Sequence, residues 1–344
     1  MKSIRLPQLD YLRGLAAVGI CFYHLILWNT NQVLSASSIL GKIGVYGVTI
    51  FYLLSGYTLA LVYQKVDFRT KTEWKIFFLK RFFRIYPLLW FSTLFTLFYI
   101  QANHSSLEIL LNLTGLFGLF SWDKYIATGA WSIGNELFFY LSFPFLMWLR
   151  KNSRISFTVI GMIFFLMLLY QSFYLLVPTI PLSSQWPVYI SPFSQIFFFY
   201  IGIAIQPIRL GQRQLVGIFI LLFLAIVFYL LPVDGDQITL VTGWLRIVFV
   251  LLCISFVLIL AHIKVGMDNP IHFVLNWLGE ISYSVYLLHP ICFKIWPPLF
   301  RFTNLPVGYF WETLVVFIFL SSTIMYYFFE KSFIRLGQYM TKRK

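Results

Sequence analysis

The sequence predicts an all-α polytopic membrane protein, a bundle of about ten transmembrane helices with both termini in the cytoplasm. The 344-residue chain is 60% hydrophobic and 11% charged, and a soluble domain with its mean hydropathy of +0.80 would expose a large apolar surface. Apolar runs of about 17–25 residues, the length that crosses a bilayer, recur from end to end. Lys and Arg collect between alternate runs, which is typical of cytoplasmic loops.

The predicted spans are separated by short connections. They lie at residues 12–29, 44–63, 85–101, 131–149, 155–177, 193–207, 215–232, 239–262, 277–298 and 308–329. A further apolar run at 107–121 is short, and counting it as a crossing would invert every later basic loop. We therefore expect it to be interfacial or re-entrant on the outer side. We also expect one membrane domain over residues 1–344, without an appended soluble domain.

Composition narrows the classes of function. Cytoplasmic loops that face anionic lipid explain the net charge of +14, so membrane lipids are expected partners and nucleic acid is not. The three cysteines lie in apolar runs, which argues against a disulfide framework and against a metal site. The chain has no phosphate-binding loop, dinucleotide fingerprint or hydrolase elbow, so no permanently bound cofactor is expected. The sequence leaves the oligomeric state open.

The first apolar run carries Asp10, Arg13 and His24. Eleven helical steps of about 100° make three turns plus roughly 20°, so Arg13 and His24 share one helix face, with His24 roughly 16 Å further along the axis. Asp10 precedes Arg13 by one turn and can pair with it. Ionisable residues inside a span are costly and usually functional. The alternatives are a snorkelling interfacial pair for Asp10 and Arg13, and a buried histidine bonded to its surroundings for His24.

Glu136 is predicted to approach His24. It lies about five residues, near 8 Å, from the outer start of the fourth span, and His24 lies at a similar depth in its own span. A carboxylate bonded to one ring nitrogen would fix the tautomer of His24 and raise the basicity of the other nitrogen, as a general base requires. The alternative for Glu136 is an acid favoured by the dipole at its helix N-terminus.

Two further polar groups lie in later spans. Arg81 and Arg84 are one turn apart at the inner mouth of the third span and can present two guanidinium groups to a phosphate. A lipid headgroup anchor explains them as well. Ser282, Tyr286 and His289 recur at helical spacing and form a polar stripe. His289 can bind the acceptor or complete a proton route, and a packing role accounts for it equally.

Taken together, these stretches resemble the acyltransferase family 3 proteins, integral-membrane acyltransferases that modify bacterial cell-surface glycans. The motifs that carry the resemblance are LDYLRG followed by His24, GVTIFYLLSGY from Gly47 to Tyr57, RFFRIYP with Arg81 and Arg84, WSIGNE ending at Glu136, and LGEISYSVYLLH ending at His289. The resemblance implies that Arg13 and His24 take part in acyl transfer. It also implies that Arg81 and Arg84 handle cytoplasmic acyl-CoA, with acetyl-CoA as the usual donor.

The predicted function is transfer of an acyl group, expected to be acetyl, from cytoplasmic acyl-CoA to a hydroxyl of a surface polysaccharide or lipid-linked sugar. The expected location is the bacterial cytoplasmic (inner) membrane. Arg81 and Arg84, with Arg13, are predicted to hold the CoA phosphates, and His24, oriented by Glu136, to act as general base or transient acyl carrier. The supporting side chains are expected to be Asp10, Ser282, Tyr286 and His289. The alternative is a proton-coupled transporter or flippase of a lipid-linked or acidic small molecule.

Overall fold

The computed structural model describes residues 5–100, 103–211, 213–266 and 269–342, apart from the side chain of Ile100. Within these ranges the chain forms helices and no β-strand. The α-helices are α1 (Pro7–Thr30), α2 (Ile39–Val62), α3 (Lys71–Ile100), α4 (Ser106–Thr114), α5 (Phe117–Phe120), α6 (Ala130–Asn152), α7 (Arg154–Tyr170), α8 (Trp186–Tyr189), α9 (Pro192–Ile205), α10 (Gln214–Leu230), α11 (Ile238–Val241), α12 (Gly243–Leu260), α13 (Pro270–Phe300), α14 (Phe310–Ile324) and α15 (Lys331–Met340). The π-helical segments Gln171–Leu175 and Met325–Glu330 continue α7 and α14. The short 3₁₀ segments Leu182–Gln185 and Val307–Tyr309 precede α8 and α14.

Several helices of the described chain meet the length and hydropathy of a membrane span. Six do so singly, and a seventh results if the bent pair Leu182–Tyr189 and Pro192–Ile205 is one span. The six are Pro7–Thr30, Ile39–Val62, Lys71–Tyr99, Arg154–Leu175, Gly243–Leu260 and Val307–Met340. The predicted all-helical, polytopic class is therefore confirmed. Each predicted run overlaps at least one helix, but α10 has only 17 residues and α6 and α13 carry polar motifs, so the count of ten stays a prediction.

Helix α3 begins earlier than predicted. The sequence placed the third span at 85–101 and the preceding basic stretch in a connection, whereas the helix starts at Lys71. Apolar residues are interspersed among the basic ones at helical spacing, so one face can pack, and Phe77 on that face is fully buried. Gln101, the last residue of the predicted run, lies outside the described residues.

The run at 107–121 forms two short helices. Helix α4 has nine residues and α5 has four. At 1.5 Å per residue, α4 is about 14 Å long, against a bilayer core of about 30 Å. Neither helix is long enough to cross, which agrees with the prediction for this run.

The described chain divides into two compact units. Unit 1 consists of the residues up to Arg69 together with Phe138–Gly279. Unit 2 consists of Thr70–Leu137 together with the residues from Glu280 onwards. Helices α6 and α13 therefore each contribute residues to both units.

In unit 1, glycines bring α2 against α9 backbone to backbone. A Cβ atom on Gly56 would collide with Phe199 O, and one on Gly202 would collide with Leu53 O. Only glycine allows helices to approach this closely, as in small-residue interfaces of membrane proteins. Gly56 belongs to the motif from Gly47 to Tyr57, so this motif contains the close contact between α2 and α9.

A buried lysine in unit 1 ties α2 to the end of α10. Lys42 is 1% exposed, and its ammonium donates to Phe228 O (3.2 Å), Tyr229 O (2.8 Å) and Leu231 O (2.9 Å). These carbonyls belong to the last turn of α10 and to the residue that follows it, where helical carbonyls lack intrahelical partners and the helix dipole favours a cation. All three N–H groups of the ammonium are therefore used.

Basic connections meet at one end of unit 1. Lys151, which follows the fourth predicted span, donates to Asp67 Oδ1 (2.5 Å) in the connection after the second. That hydrogen bond and the positive charge of Lys151 hold the pKa of the Asp67 carboxyl below its usual value. Arg150 donates to Gln206 Oε1 (2.7 Å) at the end of α9. The connections after the second, fourth and sixth predicted spans thus lie together, as the distribution of basic residues predicts.

In unit 2, α4 is fixed to α3 through its last carbonyls. Tyr86 donates to Thr114 O (2.7 Å), and Trp90 Nε1 donates to Leu113 O (2.7 Å). These two donors satisfy carbonyls that the end of a helix leaves without partners. Helix α4 is therefore held beside α3.

Gly56→Ala is expected to destabilise the protein because the added methyl group must displace the backbone of α9 at Phe199. Overpacking of this kind costs about 1–3 kcal/mol. The measurement is the thermal unfolding midpoint of the purified protein. Gly211→Ala is the matched control, since no atom lies within 4 Å of the Cβ it would add, and it should leave the midpoint unchanged. Equal midpoints for both variants would contradict the close α2–α9 contact.

Candidate active site

The first motif places the Asp10 carboxylate between Arg13 on α1 and Arg5, which precedes α1. Asp10 Oδ1 accepts from Arg13 NH1 (2.9 Å), and Asp10 Oδ2 accepts from Arg5 Nε (2.7 Å). The Asp10 and Arg13 side chains are 16% and 25% exposed, so the pair is half-buried. This hydrogen bond confirms the predicted contact between Asp10 and Arg13. The contact forms because the two residues are one helical turn apart.

Close packing against the start of α13 fixes this end of α1. A Cβ atom on Gly14 would lie 2.7 Å from Gly279 N, and one on Gly279 would lie 2.5 Å from Asp10 O. Tyr11 also hydrogen-bonds the ring of His272. Gly279, the second residue of the LGEISYSVYLLH motif, therefore allows α13 to lie directly against the charged turn of α1.

His24 lies towards the opposite end of α1. Its half-buried ring stacks on Trp28, with centroids 5.0 Å apart and planes at 7°, and meets Tyr23 edge-on at 5.2 Å. Stacking on an indole holds the imidazole plane in a defined orientation. Since α1 is one unbroken helix from Pro7 to Thr30, Arg13 and His24 keep the predicted axial separation of roughly 16 Å.

Glu136 belongs to the other unit. It lies in the second turn of α6, is half-buried, and falls in unit 2, whereas His24 falls in unit 1. The pairing of Glu136 with His24 stays a prediction. The neighbouring motif residue Ser132 has defined partners within unit 2.

Ser132 and Tyr286 join the WSIGNE motif to the polar stripe of α13. Their hydroxyl oxygens are 2.7 Å apart, and each lies 3.2 Å from Gly129 O. Both side chains are buried, each 5% exposed. Two motifs separated by 154 residues thus share one hydrogen-bond cluster.

The other members of the stripe are also buried. Ser282 is 2% exposed and His289 is 1% exposed. His289 Nδ1 donates to Val285 O (2.9 Å) one turn earlier. The His289 ring meets Tyr286 edge-on at 6.3 Å. Ser282, Tyr286 and His289 therefore form one buried face, as the spacing predicts.

Arg84 is paired with a buried acid that the sequence analysis missed. Its NH1 group forms an ion pair with Glu330 Oε1, and its guanidinium lies 5.4 Å from the centre of the Tyr283 ring. Glu330 Oε2 accepts from Ser284 Oγ (2.9 Å). Glu330 is 2% exposed and ends the π-helical segment Met325–Glu330. Arg81 lies one turn before Arg84 on α3 and is half-buried.

A signal for Glu330 was present in the sequence. It is a lone acid at the end of an apolar stretch, MYYFFE, and an acid in such a setting needs a partner when buried. The last predicted span ended at 329, one residue too early to include it. π-Helical turns are also frequent at functional sites, but their positions are not readable from composition.

Comparison with known proteins agrees with the motifs. A family model described as an acyltransferase domain matches residues 6–328. ORF330 of Acidianus two-tailed virus, named as an acetyltransferase, is 29% identical over 299 residues, which cover 82% of each chain. The peptidoglycan O-acetyltransferase OatA of Listeria monocytogenes is 24% identical over 336 residues, covering 87% of this chain.

The chain spans about half the length of the Listeria protein, 51% of it. No solved structure matches the chain. The family model, however, covers nearly all of the sequence, and the described helices include spans that suit a membrane. This integral-membrane chain therefore belongs to the acyltransferase family 3.

Proposed function

We propose that this protein is a membrane O-acyltransferase that moves an acetyl group from cytoplasmic acetyl-CoA to a hydroxyl of a surface polysaccharide or lipid-linked sugar. The proposal includes about ten spans, both termini in the cytoplasm, and the bacterial cytoplasmic membrane as the location. The family match over residues 6–328 and the names of the two relatives support the reaction class. The structural observation that best supports the proposed reaction is the arrangement of α1. This single helix has a charged turn near one end and a stacked imidazole near the other.

The donor is held at the cytoplasmic end in this proposal. Arg81 and Arg84 present guanidinium groups to the CoA phosphates, with Arg13 contributing from α1, since Arg binds phosphate with two parallel hydrogen bonds. The ion pair with Glu330 fixes the NH1 edge of Arg84 and so orients the rest of the group. Glu330 is thus a positioning residue rather than a catalytic one.

In this proposal, the acceptor reacts in the outer half of the membrane-spanning bundle. Its hydroxyl oxygen attacks the acyl carbon of the thioester while its proton passes to His24, and the C–S bond breaks to release the CoA thiolate, which takes up a proton. Glu136 orients His24 in this scheme, and Ser282, Tyr286 and His289 line the acceptor path. Arg13 and Asp10 maintain the charged end of α1.

His24→Ala is expected to lower acetyl transfer by about 10²- to 10⁴-fold, the usual contribution of a general base. The measurement is incorporation of labelled acetyl groups from acetyl-CoA by membrane vesicles that contain equal amounts of each variant. His104→Ala is the control, since His104 lies before α4 and interacts with Glu108. Undiminished incorporation with His24→Ala would contradict the assignment.

Glu330→Gln is expected to raise the KM for acetyl-CoA about tenfold with little change in kcat, because the amide keeps the shape but removes the charge that orients Arg84. The exposed acid Glu312 supplies the control variant Glu312→Gln. The same vesicles give both kinetic constants. An unchanged KM in folded protein would show that Glu330 has a structural role only.

A further inference from the structure

Five buried polar side chains of unit 1 lie at or near the short helix α11. None of them belongs to the sequence motifs that carry the family resemblance. They come from four helices and from the residue that precedes α11. They are Tyr23, Tyr46, Tyr189, Gln237 and Arg246. All five are at most 8% exposed.

Three of these side chains bind α11 or the residue before it. Tyr23 donates to Gln237 Oε1 (3.1 Å), Tyr46 donates to Leu240 O (2.5 Å), and Arg246 NH1 donates to Val241 O (3.2 Å). Leu240 and Val241 are consecutive, so the Tyr46 hydroxyl and the Arg246 guanidinium lie at adjacent carbonyls. Tyr189 donates to Val45 O (3.5 Å), the carbonyl of the residue before Tyr46, which places Tyr189 beside the same part of α2.

Arg246 is a buried cation whose donors are mostly unused. It is 2% exposed, and within the described ranges it forms no ion pair with a carboxylate. A guanidinium has five N–H donors, and the same part of the chain supplies one acceptor, Val241 O. Lys42 offers a contrast, because each of its three ammonium donors has a carbonyl. Asp236, the nearest acid in sequence to Gln237, uses Oδ1 to accept two backbone N–H groups.

A second unused donor lies at the other end of α11. Gln237 is 5% exposed, and its Nε2 has no hydrogen-bond acceptor among the described residues. The four residues of α11 rise about 6 Å, so the backbones of Gln237 and Val241 are separated by a single turn. Two donor groups, one of them charged, therefore flank one helical turn in a buried site.

We propose that Arg246 and Gln237 form a binding site for a monoanionic oxygen group, a carboxylate or a phosphodiester. A guanidinium buried in a membrane-spanning helix is costly unless a counter-charge and acceptors accompany it. A single negative charge would neutralise Arg246, and its two oxygens would accept hydrogen bonds from the guanidinium and from Gln237 Nε2. Both ligand classes present the same chemistry, two oxygens that share one charge.

The position of the site suggests its use. Tyr23, which binds Gln237, is the neighbour of His24 in sequence, and their rings are in edge-on contact. In the proposed transferase, this site would hold an acidic group of the acceptor near the end of α1 that carries His24. This role rests on the proposed function, whereas anion binding itself does not.

The test measures the thermal unfolding midpoint of the purified full-length protein in neutral detergent. Sodium acetate and sodium dimethyl phosphate are compared with sodium chloride at constant ionic strength. Acetate or dimethyl phosphate is expected to raise the midpoint by about 2 °C or more, and Arg246→Gln is expected to remove that rise. Arg154→Gln, which removes an exposed arginine of the same unit, should keep it. The anion with the larger effect identifies the ligand class.

Gln237→Glu carries the test even if Arg246→Gln does not fold. A carboxylate built into the site should raise the midpoint in chloride and abolish the response to acetate and dimethyl phosphate. The proposal is overturned if the wild type responds to neither anion, if Arg246→Gln keeps the full response, or if Gln237→Glu lowers the midpoint and keeps the response. None of these readouts depends on acetyl transfer, so a failed anion site and a failed transferase assignment give different results.

Discussion

A charge buried in a membrane-spanning helix must find a partner, and the described helices meet this requirement in several ways. Asp10 lies between two arginines, Lys42 gives all three donors to the end of α10, and Arg84 pairs with Glu330. The Lys42 and Arg84 interactions join helices that are distant in sequence, and the glycine contacts between α2 and α9 add close van der Waals packing. Buried charges and glycine contacts therefore act together to fix which helices meet.

The sequence predicts those features that depend on neighbours in the chain. The runs of apolar residues gave the helices, and the one-turn spacing of Asp10 and Arg13 gave their contact. Side-chain contacts between residues far apart in the sequence could not be predicted from local spacing. Arg84 and Glu330 are 246 residues apart, and their pairing depends on how α3 packs against the π-helical segment. The extent of α3 was missed for a related reason, since its basic stretch is helical only because an apolar face with Phe77 is buried.

Helix α1 carries both the charged turn with Asp10 and Arg13 and the imidazole of His24. Its first turns hold the charged group that the family resemblance assigns to acyl transfer, and glycine contacts press them against the start of α13. Further along, His24 faces one stacking partner while its neighbour Tyr23 reaches the cluster around α11. In the proposed transferase, this rigid helix would keep the donor end and the acceptor end at a constant separation. The proposed anion site at Arg246 and Gln237 would then bind the acceptor near His24.

The chain is proposed to add acyl groups to a surface glycan. Mass spectrometry of surface glycans from cells that carry the gene, and from otherwise identical cells that lack it, tests this proposal. An ester-linked acetyl group, a defined mass increment removed by mild base, is expected on glycans of the first cells and not on those of the second. Identical glycan masses in the two samples, with the protein present in the membrane, would contradict it.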